Sequence, residues 1–557
     1  MSKYYITTPI YYPSSNLTIG NAYTSVIADC LARWHRMLGE EVLFLTGTDE
    51  HGQKLQQSAE KQGLSPKTFV DYMVKSDVLP LWQLMDVSND RFIRTTDDFH
   101  VQAVQKIFQK LYDQGDIYLG TYSGHYCTPC ESFWTDSQLV DGMCPDCHRP
   151  VVEMEEECYF FRMSKYQDRL LAYYEEHPDF IQPESRMREM VNNFLKPGLE
   201  DLALSRTSFN WGIQVPFDPK HVIYVWLDAL TNYLTILGYP DKTADYDKFW
   251  PADLHLVGKD IIRFHTIIWP IILMALDLPL PKQIFGHGWL LVGGDKMSKS
   301  KGNVVDPQVL VDIFGVDAVR YFLLREIQFG QDGNFSGEAL INRINSDLVN
   351  DLGNLLSRSL AMVEQNFPQG LPEEREAGDF DQDLAAQADM AFLEATAHME
   401  KLKLSAALES IWTYIRRANK YIDETQPWVL AKDEASKSRL AAVLYNLCDS
   451  LRRISILIAP FMSATSREID RQLGLERAEV QANCQGLLWE EAGQANLYPA
   501  GLIPQRAEAL FPRIKLDETL SLMEKQAKAR EKQLAEKKEA DFEALRKGAD
   551  VDQLVQA

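Results

Sequence analysis

The spacing of apolar and polar positions divides the chain into two parts. In the first part a strand, a turn, a helix and a second strand are predicted in this order, at Tyr4–Ile10, Pro13–Asn16, Gly20–Leu38 and Val42–Leu45. Near Gly120 the pattern changes to a segment rich in Cys, Gly and aromatic residues, and buried-strand patterns return at Val222–Trp226 and Leu254–Val257. This order predicts an open α/β sheet that is split by an insertion.

The second part has a helical pattern. Beyond about Asn342 strand patterns fade, and leucines recur at spacings of three and four, at Leu348, Leu352, Leu355, Leu356 and Leu360. This predicts a helical bundle. From about Lys515 the chain is dominated by Lys, Glu, Ala and Gln, and we interpret it as a solvated or partly frayed helix that serves as a tail or linker. A coiled coil is disfavoured, since no apolar heptad persists.

Length and composition indicate a multidomain protein of the cytosol. The chain has 557 residues, of which 45% are hydrophobic, enough for more than one core. Its longest apolar stretch, Ile267–Leu276, falls well short of the roughly 20 residues that cross a bilayer. The N-terminus has no signal or transit pattern. The net charge of -23 opposes nucleic-acid binding overall, although local clusters such as Arg452-Arg453 allow a positive track or a solvated helix face.

Four of the eight cysteines form two knuckles, Cys127-x-x-Cys130 and Cys144-x-x-Cys147. This ligand number and spacing are typical of a closed tetrahedral Zn²⁺ site, which leaves no position for water and is therefore structural. Two disulfides are the alternative, disfavoured in a reducing compartment. His148 in place of Cys147 is a minor variant of the ligand set.

The loop Lys296–Ser300 follows a buried strand and combines lysines and hydroxyls behind the glycines Gly293 and Gly294. Positioned ammonium groups stabilise the charge that develops on phosphoryl oxygens when a carboxylate attacks the α-phosphate of ATP. The loop therefore predicts ATP binding and adenylation of a small carboxylic acid. An exposed basic loop is the alternative.

Lys296–Ser300, called here the second signature, resembles the second signature loop of class I aminoacyl-tRNA synthetases. The family usually has His-Ile-Gly-His after the first strand, whereas this chain has Thr18-Ile19-Gly20-Asn21, a variant that resembles tryptophanyl members of the class. We call this segment the first signature. Gly20 leaves room for the nucleotide, and Thr18 and Asn21 can donate hydrogen bonds to phosphate without carrying charge. We therefore expect adenylation to lack the pH dependence of a titrating signature imidazole.

Four further segments resemble the methionyl-tRNA synthetases over almost the whole chain: Pro9–Pro13, Gly47–Gly52, Tyr224–Ala229 with Tyr233, and Gly258–Asp260 with Arg263–His265. The resemblance implies a Rossmann-type α/β catalytic domain split by a zinc-binding insertion and followed by an all-α anticodon-binding bundle. It also implies ATP-dependent activation of L-methionine with Mg²⁺ and transfer to tRNA(Met). Homocysteine is expected to be misactivated, since pockets separate apolar near-isosteres by only about 1 to 3 kcal/mol.

The resemblance assigns candidate site residues. Asp49 matches the carboxylate that holds the substrate ammonium, and Asp260 matches the acid that contacts ribose. The catalytic candidates are Lys296, Lys299, Thr18 and Asn21. The ATP-binding candidates are Gly20, Gly258, Asp260, Lys296, Met297, Ser298, Lys299 and Ser300. The methionine-binding candidates, whose aromatic rings suit a thioether, are Ile10, Tyr12, Asp49, Trp226, Tyr233, Phe264, His265 and Trp269.

The helical half resembles the anticodon-binding domain of the family. Asn350, Asn354 and Arg358 are four residues apart on one predicted helix face, and Trp428 offers a stacking plane for unpaired bases. An ordinary polar face with a core tryptophan is the alternative. Some relatives continue into a β-barrel that binds tRNA and dimerises the enzyme, and because this chain ends without one we expect a monomer.

The predicted domains are a first catalytic half (1–115), the insertion (116–221), a second catalytic half (222–325), a stem-contact segment with the helical domain (326–514) and the charged tail (515–557). Two rival functions stay open. One is another class I synthetase, tryptophanyl-like in its first signature, and the other is a noncatalytic tRNA-binding paralogue that lost the signature histidines.

Overall fold

The computed structural model describes residues 2–128, 130, 132–134, 136, 139–241, 243–297, 303–475, 477 and 479–556. Its centre is a parallel sheet of six strands, in the spatial order Arg91–Arg94, Glu41–Thr48, Lys3–Tyr11, Leu254–Gly258, Ile284–His287 and Ile181–Gln182. Ile6 of the first strand pairs with Phe44 on one side and Leu254 on the other. The predicted open α/β sheet is confirmed.

The N-terminal strand lies where the strand order reverses. Chain segments before and after the insertion meet there, and ligands of open parallel sheets bind at the carboxyl ends of such neighbouring strands. The first helix, Ile19–Met37, starts at this edge and is buried along most of its length. The remaining helical segments of the first half are Gln53–Lys61, Pro66–Met73, Val74–Val78, Leu79–Leu84 and Asp98–Asp113.

The insertion is built from antiparallel strands. Its four-stranded sheet contains Ser132–Trp134, Ile117–Cys127, Val152–Phe161 and Leu202–Ala203, and its three-stranded sheet contains Gln214–Val215, Asp218–Ile223 and Ser205–Arg206. Its helical segments are Met163–Tyr166, Gln167–Glu176, Glu184–Met190 and Val191–Leu195. One strand within the predicted insertion, Ile181–Gln182, forms the edge of the central sheet instead.

The second catalytic half presents the second signature on a small sheet of the strands Asp295–Lys296, Leu290–Val292 and Gly333–Phe335. Gly293 and Gly294 both have positive φ, 61° and 82°, which the tight hairpin before Lys296 requires. The helical segments of this half are Val225–Thr235, Ala244–Phe249, Phe264–Ile268, Trp269–Ala275, Pro307–Phe314 and Val316–Glu326.

The rest of the described chain is predominantly helical, as predicted. Its helical segments are Gly337–Arg343, Ile344–Gly353, Asn354–Asn366, Asp381–Glu400, Leu404–Thr425, Pro427–Leu430, Glu434–Ser436, Lys437–Ile458, Ser463–Gln472, Trp489–Gly493, Leu516–Arg546 and Val551–Gln556. The predicted leucines Leu348, Leu352, Leu355, Leu356 and Leu360 are all buried in its core. Within the described residues, none of the helices combines the length and apolar character needed to span a membrane.

The charged C-terminal segment folds into the helix Leu516–Arg546, which is not solvated along its whole length. Phe542 and Leu545 are buried against Phe69 and Tyr72 of the catalytic half. A few apolar residues are enough to anchor this helix, although they are too sparse to form an apolar stripe in the sequence.

Candidate active site

A cavity of about 440 Å³ opens at the carboxyl ends of the central strands. It lies between the ends of Lys3–Tyr11, Glu41–Thr48 and Leu254–Gly258. Nine of the candidate residues line it: Ile10, Tyr12, Asp49, Trp226, Tyr233, Asp260, Phe264, His265 and Lys296. Candidates for the amino acid and for ATP, from both sides of the insertion, therefore meet at one cavity.

Two stacked aromatic rings form one side of the cavity. The rings of Trp226 and Phe264 are nearly parallel, at 7°, with centroids 3.6 Å apart. Trp226 lies in the first turn of the helix Val225–Thr235, and Phe264 begins the π-helical segment Phe264–Ile268. Such a surface is apolar and polarizable, as the thioether of methionine requires.

Tyr233 and His265 form a buried polar pair beside these rings. His265 Nδ1 lies 3.0 Å from the Ile261 carbonyl, and His265 Nε2 lies 2.8 Å from the Tyr233 hydroxyl. Burial lowers the pKa of His265 to about 4, so the ring is neutral near pH 7. Because a carbonyl only accepts, Nδ1 carries the hydrogen and Nε2 accepts from the Tyr233 hydroxyl. The strong donors of the pair are thus already engaged within the protein.

The structure differs from the prediction at Trp269, which is fully buried and lies outside the cavity lining. Its indole nitrogen donates to His255 Nε2 at 3.2 Å, and its ring centroid is 5.9 Å from that of Tyr233. Trp269 therefore backs Tyr233 from the core. Aromatic character alone could not separate a residue that lines the cavity from one directly behind it.

Asp49 stands at the end of the strand Glu41–Thr48, and its amide donates to the Tyr11 carbonyl at 3.0 Å. The two residues after it are fixed by side-chain hydrogen bonds. Glu50 accepts from Arg94 at 2.7 and 2.8 Å, and His51 Nδ1 lies 2.7 Å from Asp228. The turn that carries Asp49 is thus held from two directions.

A buried His–Asp–His chain continues this support. His100 Nε2 lies 2.7 Å from the second carboxylate oxygen of Asp228. Burial raises the pKa of Asp228, but His51 and His100 outweigh it and keep that pKa below its ordinary value. Sequence reasoning did not assign roles to these residues, since only the fold joins segments so far apart.

The first signature forms a closed turn at the start of the helix Ile19–Met37. The Asn21 side-chain oxygen accepts from the Thr18 amide at 2.9 Å and from the Thr18 hydroxyl at 3.1 Å. Thr18 was predicted to donate to phosphate, but here its hydroxyl hydrogen stays within the turn. The Asn21 Nδ2 group is the other donor that this pair can offer.

The two signatures approach each other at Gly20. A Cβ added to Gly20 would lie 3.9 Å from Met297 Cε, and the Ile19 amide donates to the Val305 carbonyl at 3.4 Å. Lys296 is 57% exposed, lies 3.7 Å from Asp260 and sits over the Trp289 ring at 4.2 Å. The candidates Ser298, Lys299 and Ser300 lie outside the described residues.

The backbone of Gly258 lies close to the side chain of Asp260. A Cβ on Gly258 would fall 2.5 Å from Asp260 Oδ1, too close for any other residue without displacement of this carboxylate. Glycine is therefore needed here for the position of Asp260 rather than for an unusual φ.

The four predicted cysteines form one cluster. The sulfur atoms of Cys127, Cys130, Cys144 and Cys147 lie within 4.8 Å of one another and are not joined as disulfides. Two of the separations, Cys127–Cys147 and Cys130–Cys144, are 3.5 and 4.0 Å. Tetrahedral Zn²⁺ with Zn–S bonds near 2.3 Å would place its sulfurs about 3.8 Å apart, so the cluster suits this metal.

The cysteine cluster adjoins the cavity, which the sequence did not indicate. Cys130, Asp146 and Cys147 belong to the lining of the cavity. Arg263, next to Phe264, lies 3.8 Å from Asp146 and stacks over Trp134 at 4.4 Å. The insertion and the aromatic side of the cavity are thus in direct contact.

Comparisons with known proteins agree with this arrangement. The family model described as "tRNA synthetases class I (M)" matches residues 4–152 and 148–360, and that of the "Anticodon binding domain of methionyl tRNA ligase" matches 371–532. The methionine--tRNA ligase of Caldanaerobacter subterraneus subsp. tengcongensis is 59% identical over 96% of this chain and 82% of its own length. That of Clostridium tetani is 60% identical over 94% and 80%.

The chain belongs to the class I methionyl-tRNA synthetases. It is accordingly an enzyme, a methionine–tRNA ligase, and these matches do not favour a tryptophan-specific or noncatalytic relative. Among solved structures, the Mycobacterium tuberculosis methionyl-tRNA synthetase in complex with methionyl-adenylate aligns with a TM-score of 0.87 and 43% identity, over 92% of this chain and 100% of that chain. Its apo form aligns at 0.78 and 41%, over 92% and 99%.

In this methionyl-tRNA synthetase the predicted anticodon residues are spread over three helical segments. Asn350 lies in the π-helical segment Ile344–Gly353, and Asn354 begins the α-helix Asn354–Asn366. The spacing of these two residues is therefore not that of one continuous α-helix. Arg358 donates to Asp423 at 2.9 Å. Trp428 is 45% exposed rather than in the core, and of these candidates it alone falls within the matched anticodon-binding range.

The arginine pair Arg452-Arg453 forms neither a positive track nor a solvated face. Both side chains are buried, with Arg452 donating to Asp449 and Arg453 donating to Asp389, each at 2.7 Å. Arg453 joins two helices of the bundle, whereas Arg452 pairs within its own helix and donates to the carbonyls of Glu491 and Gln494, so neither is available to phosphate.

Proposed function

We propose that the cavity at the strand ends joins the carboxylate of L-methionine to the α-phosphate of ATP with release of pyrophosphate. The methionyl group then passes from the adenylate to the 3′ end of tRNA(Met), and AMP is released. The observation that carries this assignment is that one cavity has an aromatic side, the carboxylate of Asp49 and the exposed ammonium of Lys296. An amino acid needs the first two, and the phosphates of ATP need the third.

In this proposal methionine binds with its ammonium at Asp49 and its thioether against Trp226 and Phe264. Ile10, Tyr12 and Ala229 close the apolar part. The donors of the Tyr233–His265 pair are already engaged in hydrogen bonds within the protein. A hydroxyl or an amide on the substrate side chain would therefore find few hydrogen-bond partners there. The pocket thus favours a soft, apolar side chain.

ATP binds along the two signatures in the same proposal. Asp260 contacts the ribose, Gly20 and Gly258 leave room for the nucleotide, and Asn21 donates to phosphate. Lys296 and Lys299, with Mg²⁺ on the phosphates, stabilise the charge that develops as the carboxylate of methionine attacks the α-phosphate. Thr18 fixes the orientation of Asn21, and Met297, Ser298 and Ser300 complete the loop.

We assign structural Zn²⁺ to Cys127, Cys130, Cys144 and Cys147, supported by the sulfur separations. When bound, the ion would hold the two knuckles together without contributing to the reaction. The enzyme is proposed to act as a monomer in the cytoplasm, with the domain limits predicted from the sequence. Asn350, Asn354, Arg358 and Trp428 are proposed to contact the anticodon.

The test is amino-acid-dependent exchange of pyrophosphate into ATP, with methionine, homocysteine and tryptophan as substrates. We expect rapid exchange with methionine, slower exchange with homocysteine and none with tryptophan. Exchange with tryptophan but not methionine would overturn the pocket assignment. Asp49→Asn should raise the KM for methionine strongly while leaving the KM for ATP nearly unchanged, since it removes the charge that faces the ammonium.

A further inference from the structure

The C-terminal helix Leu516–Arg546 runs from the helical half to the catalytic half. At its start, the Ile514 amide donates to Asn345 at 2.9 Å, and Leu520 and Met523 pack beside Gly337. At its end, Tyr72 donates to Asp541 at 2.7 Å and Phe542 packs edge-on against the Tyr72 ring. The helix is therefore anchored at both ends, and we call it the strap.

Between these anchors, the strap contacts the flank of the second signature. Arg530 Nε donates to Asp306 Oδ2 at 2.8 Å. The other oxygen of Asp306 accepts from the Gln308 amide at 2.9 Å and caps the helix Pro307–Phe314. Asp306 stands six positions after Ser300 and directly before the helix Pro307–Phe314, so Arg530 fixes the chain at the start of this helix.

Two turns further along the strap, Lys538 contacts the flank of the first signature. Its ammonium donates to Asn16 Oδ1 at 2.5 Å and pairs with Asp77 at 2.5 Å. Asn16 belongs to the turn that precedes Thr18, and the Lys538 side chain is only 17% exposed. A desolvated ammonium shared by two oxygens fixes a turn better than an exposed contact does.

We propose that Arg530 and Lys538 are positioning residues for the ATP site, and that the strap sets the separation of the two signatures through Asp306 and Asn16. Neither side chain lines the cavity, so both act through the segments that they hold. The anchors at Asn345 and Tyr72 keep the strap in place, which lets these two contacts work as fixed points. The inference rests on the proposed assignment of ATP to the two signatures.

The test compares Arg530→Met and Lys538→Met in methionine-dependent pyrophosphate exchange. We expect kcat/KM for ATP to fall about three- to tenfold in each variant, the range typical of residues that act without touching the ligand. The KM for methionine should stay nearly constant, because Trp226, Phe264 and Asp49 are not attached to the strap.

The matched control is Lys532→Met, which removes a lysine from the same helix. Lys532 is 77% exposed and pairs with Glu536 of its own helix at 3.7 Å. This variant should leave the kinetic constants for both methionine and ATP unchanged. The conservative variants Arg530→Lys and Lys538→Arg should retain most of the kcat/KM for ATP, since each keeps a cationic donor.

A double-mutant cycle tests the contact itself. Asp306→Ser keeps a good helix cap but removes the charge that Arg530 meets. Combined with Arg530→Met, it should cause no further loss beyond either single variant, because both changes remove the same contact. Fully multiplicative losses would contradict a role through Asp306.

The strap proposal is overturned if Arg530→Met and Lys538→Met lower only the thermal unfolding midpoint. It is also overturned if they lower kcat/KM for methionine and kcat/KM for ATP equally. Failure of the ATP assignment gives a different result. In that case Lys296→Met would leave the ATP parameters unchanged in the same assay, whatever the strap variants do. A change with Lys296→Met but none with either strap variant would refute the strap alone.

Discussion

The cavity has two sides of opposite character. The amino-acid side, made of Trp226, Tyr233, Phe264 and His265, is packed by ring stacking and by the buried Tyr233–His265 hydrogen bond. On the side proposed for phosphate, Asp260 and Lys296 line the cavity, and the exposed Lys296 lies 3.7 Å from the Asp260 carboxylate. The first side is thus apolar and internally packed, whereas the second presents an exposed ammonium that contacts Asp260 and the Trp289 ring.

This difference separates binding from catalysis. In the proposed assignment, the packed aromatic rings contact the methionine side chain equally well before and during the reaction, so they contribute uniform binding. Ammonium groups meet their strongest charge only when the pentavalent phosphorus forms, so they act on the chemical step. Substitutions on the two sides should therefore change different kinetic constants.

The largest effect is expected on the phosphate side. Lys296→Met should lower kcat of methionine-dependent pyrophosphate exchange about 100-fold or more, the range seen when one transition-state donor is removed. Methionine affinity, measured by equilibrium binding, should change little. Lys282→Met, a surface lysine that pairs with Asp253, is the control. An equal loss of methionine affinity would remove the distinction between the two sides.

The next effect is expected on the amino-acid side. Trp226→Ala should raise the KM for methionine about 10- to 100-fold, because it removes the ring that stacks on Phe264. The KM for ATP should stay close to that of the parent enzyme. Trp428→Ala, a second aromatic truncation, should leave exchange unchanged and weaken tRNA(Met) charging. If Trp226→Ala changed both substrates alike, the two sides would be one cooperative unit.

Trp226, Tyr233, Phe264 and His265, predicted from short motifs of the sequence, line one cavity, whereas Trp269 lies behind it. The sequence also predicted the helical half, because the leucine spacing from Leu348 to Leu360 follows the helical period and these residues form the core. The cysteine cluster was predictable for the same kind of reason, since a four-thiolate site fixes both ligand number and spacing.

Features that depend on contacts between distant segments were not predictable. His51 and His100 meet Asp228 across 177 and 128 positions. The strand Ile181–Gln182 has two residues, too few to show a period. The docking of the C-terminal helix depends on Phe542 and a few apolar neighbours in a highly charged segment. In each case the local sequence pattern does not indicate which distant segment the residue or strand will contact.

The cysteine cluster tests how far the amino-acid side extends. Cys147→Ser should lower the bound zinc, measured by elemental analysis, and raise the KM for methionine about three- to tenfold. The reason is that Arg263 lies 3.8 Å from Asp146 and 5.1 Å from the centroid of the Phe264 ring, and thus joins the two. Cys448→Ser, a buried cysteine of the helical half, is the control. Loss of zinc with an unchanged KM would confine the cluster to the shape of the insertion.

The last prediction concerns the neutral state of His265, and it affects stability rather than a kinetic constant. Burial lowers its folded pKa to about 4 from 6.5, so the unfolded chain binds more protons between these values and stability falls as pH drops from about 6.5 towards 4. Over that window the contribution is roughly 3 kcal/mol, at 1.36 kcal/mol per pKa unit. His265→Gln cannot titrate, so its thermal midpoint should fall less steeply with acid than that of the parent enzyme. Above pH 7 the two slopes should match, because the ring is then neutral in both states. Identical slopes between pH 6.5 and 4.5 would mean that the pKa of His265 is the same in the folded and the unfolded chain, and Nε2 would then donate towards Tyr233 once the ring is protonated.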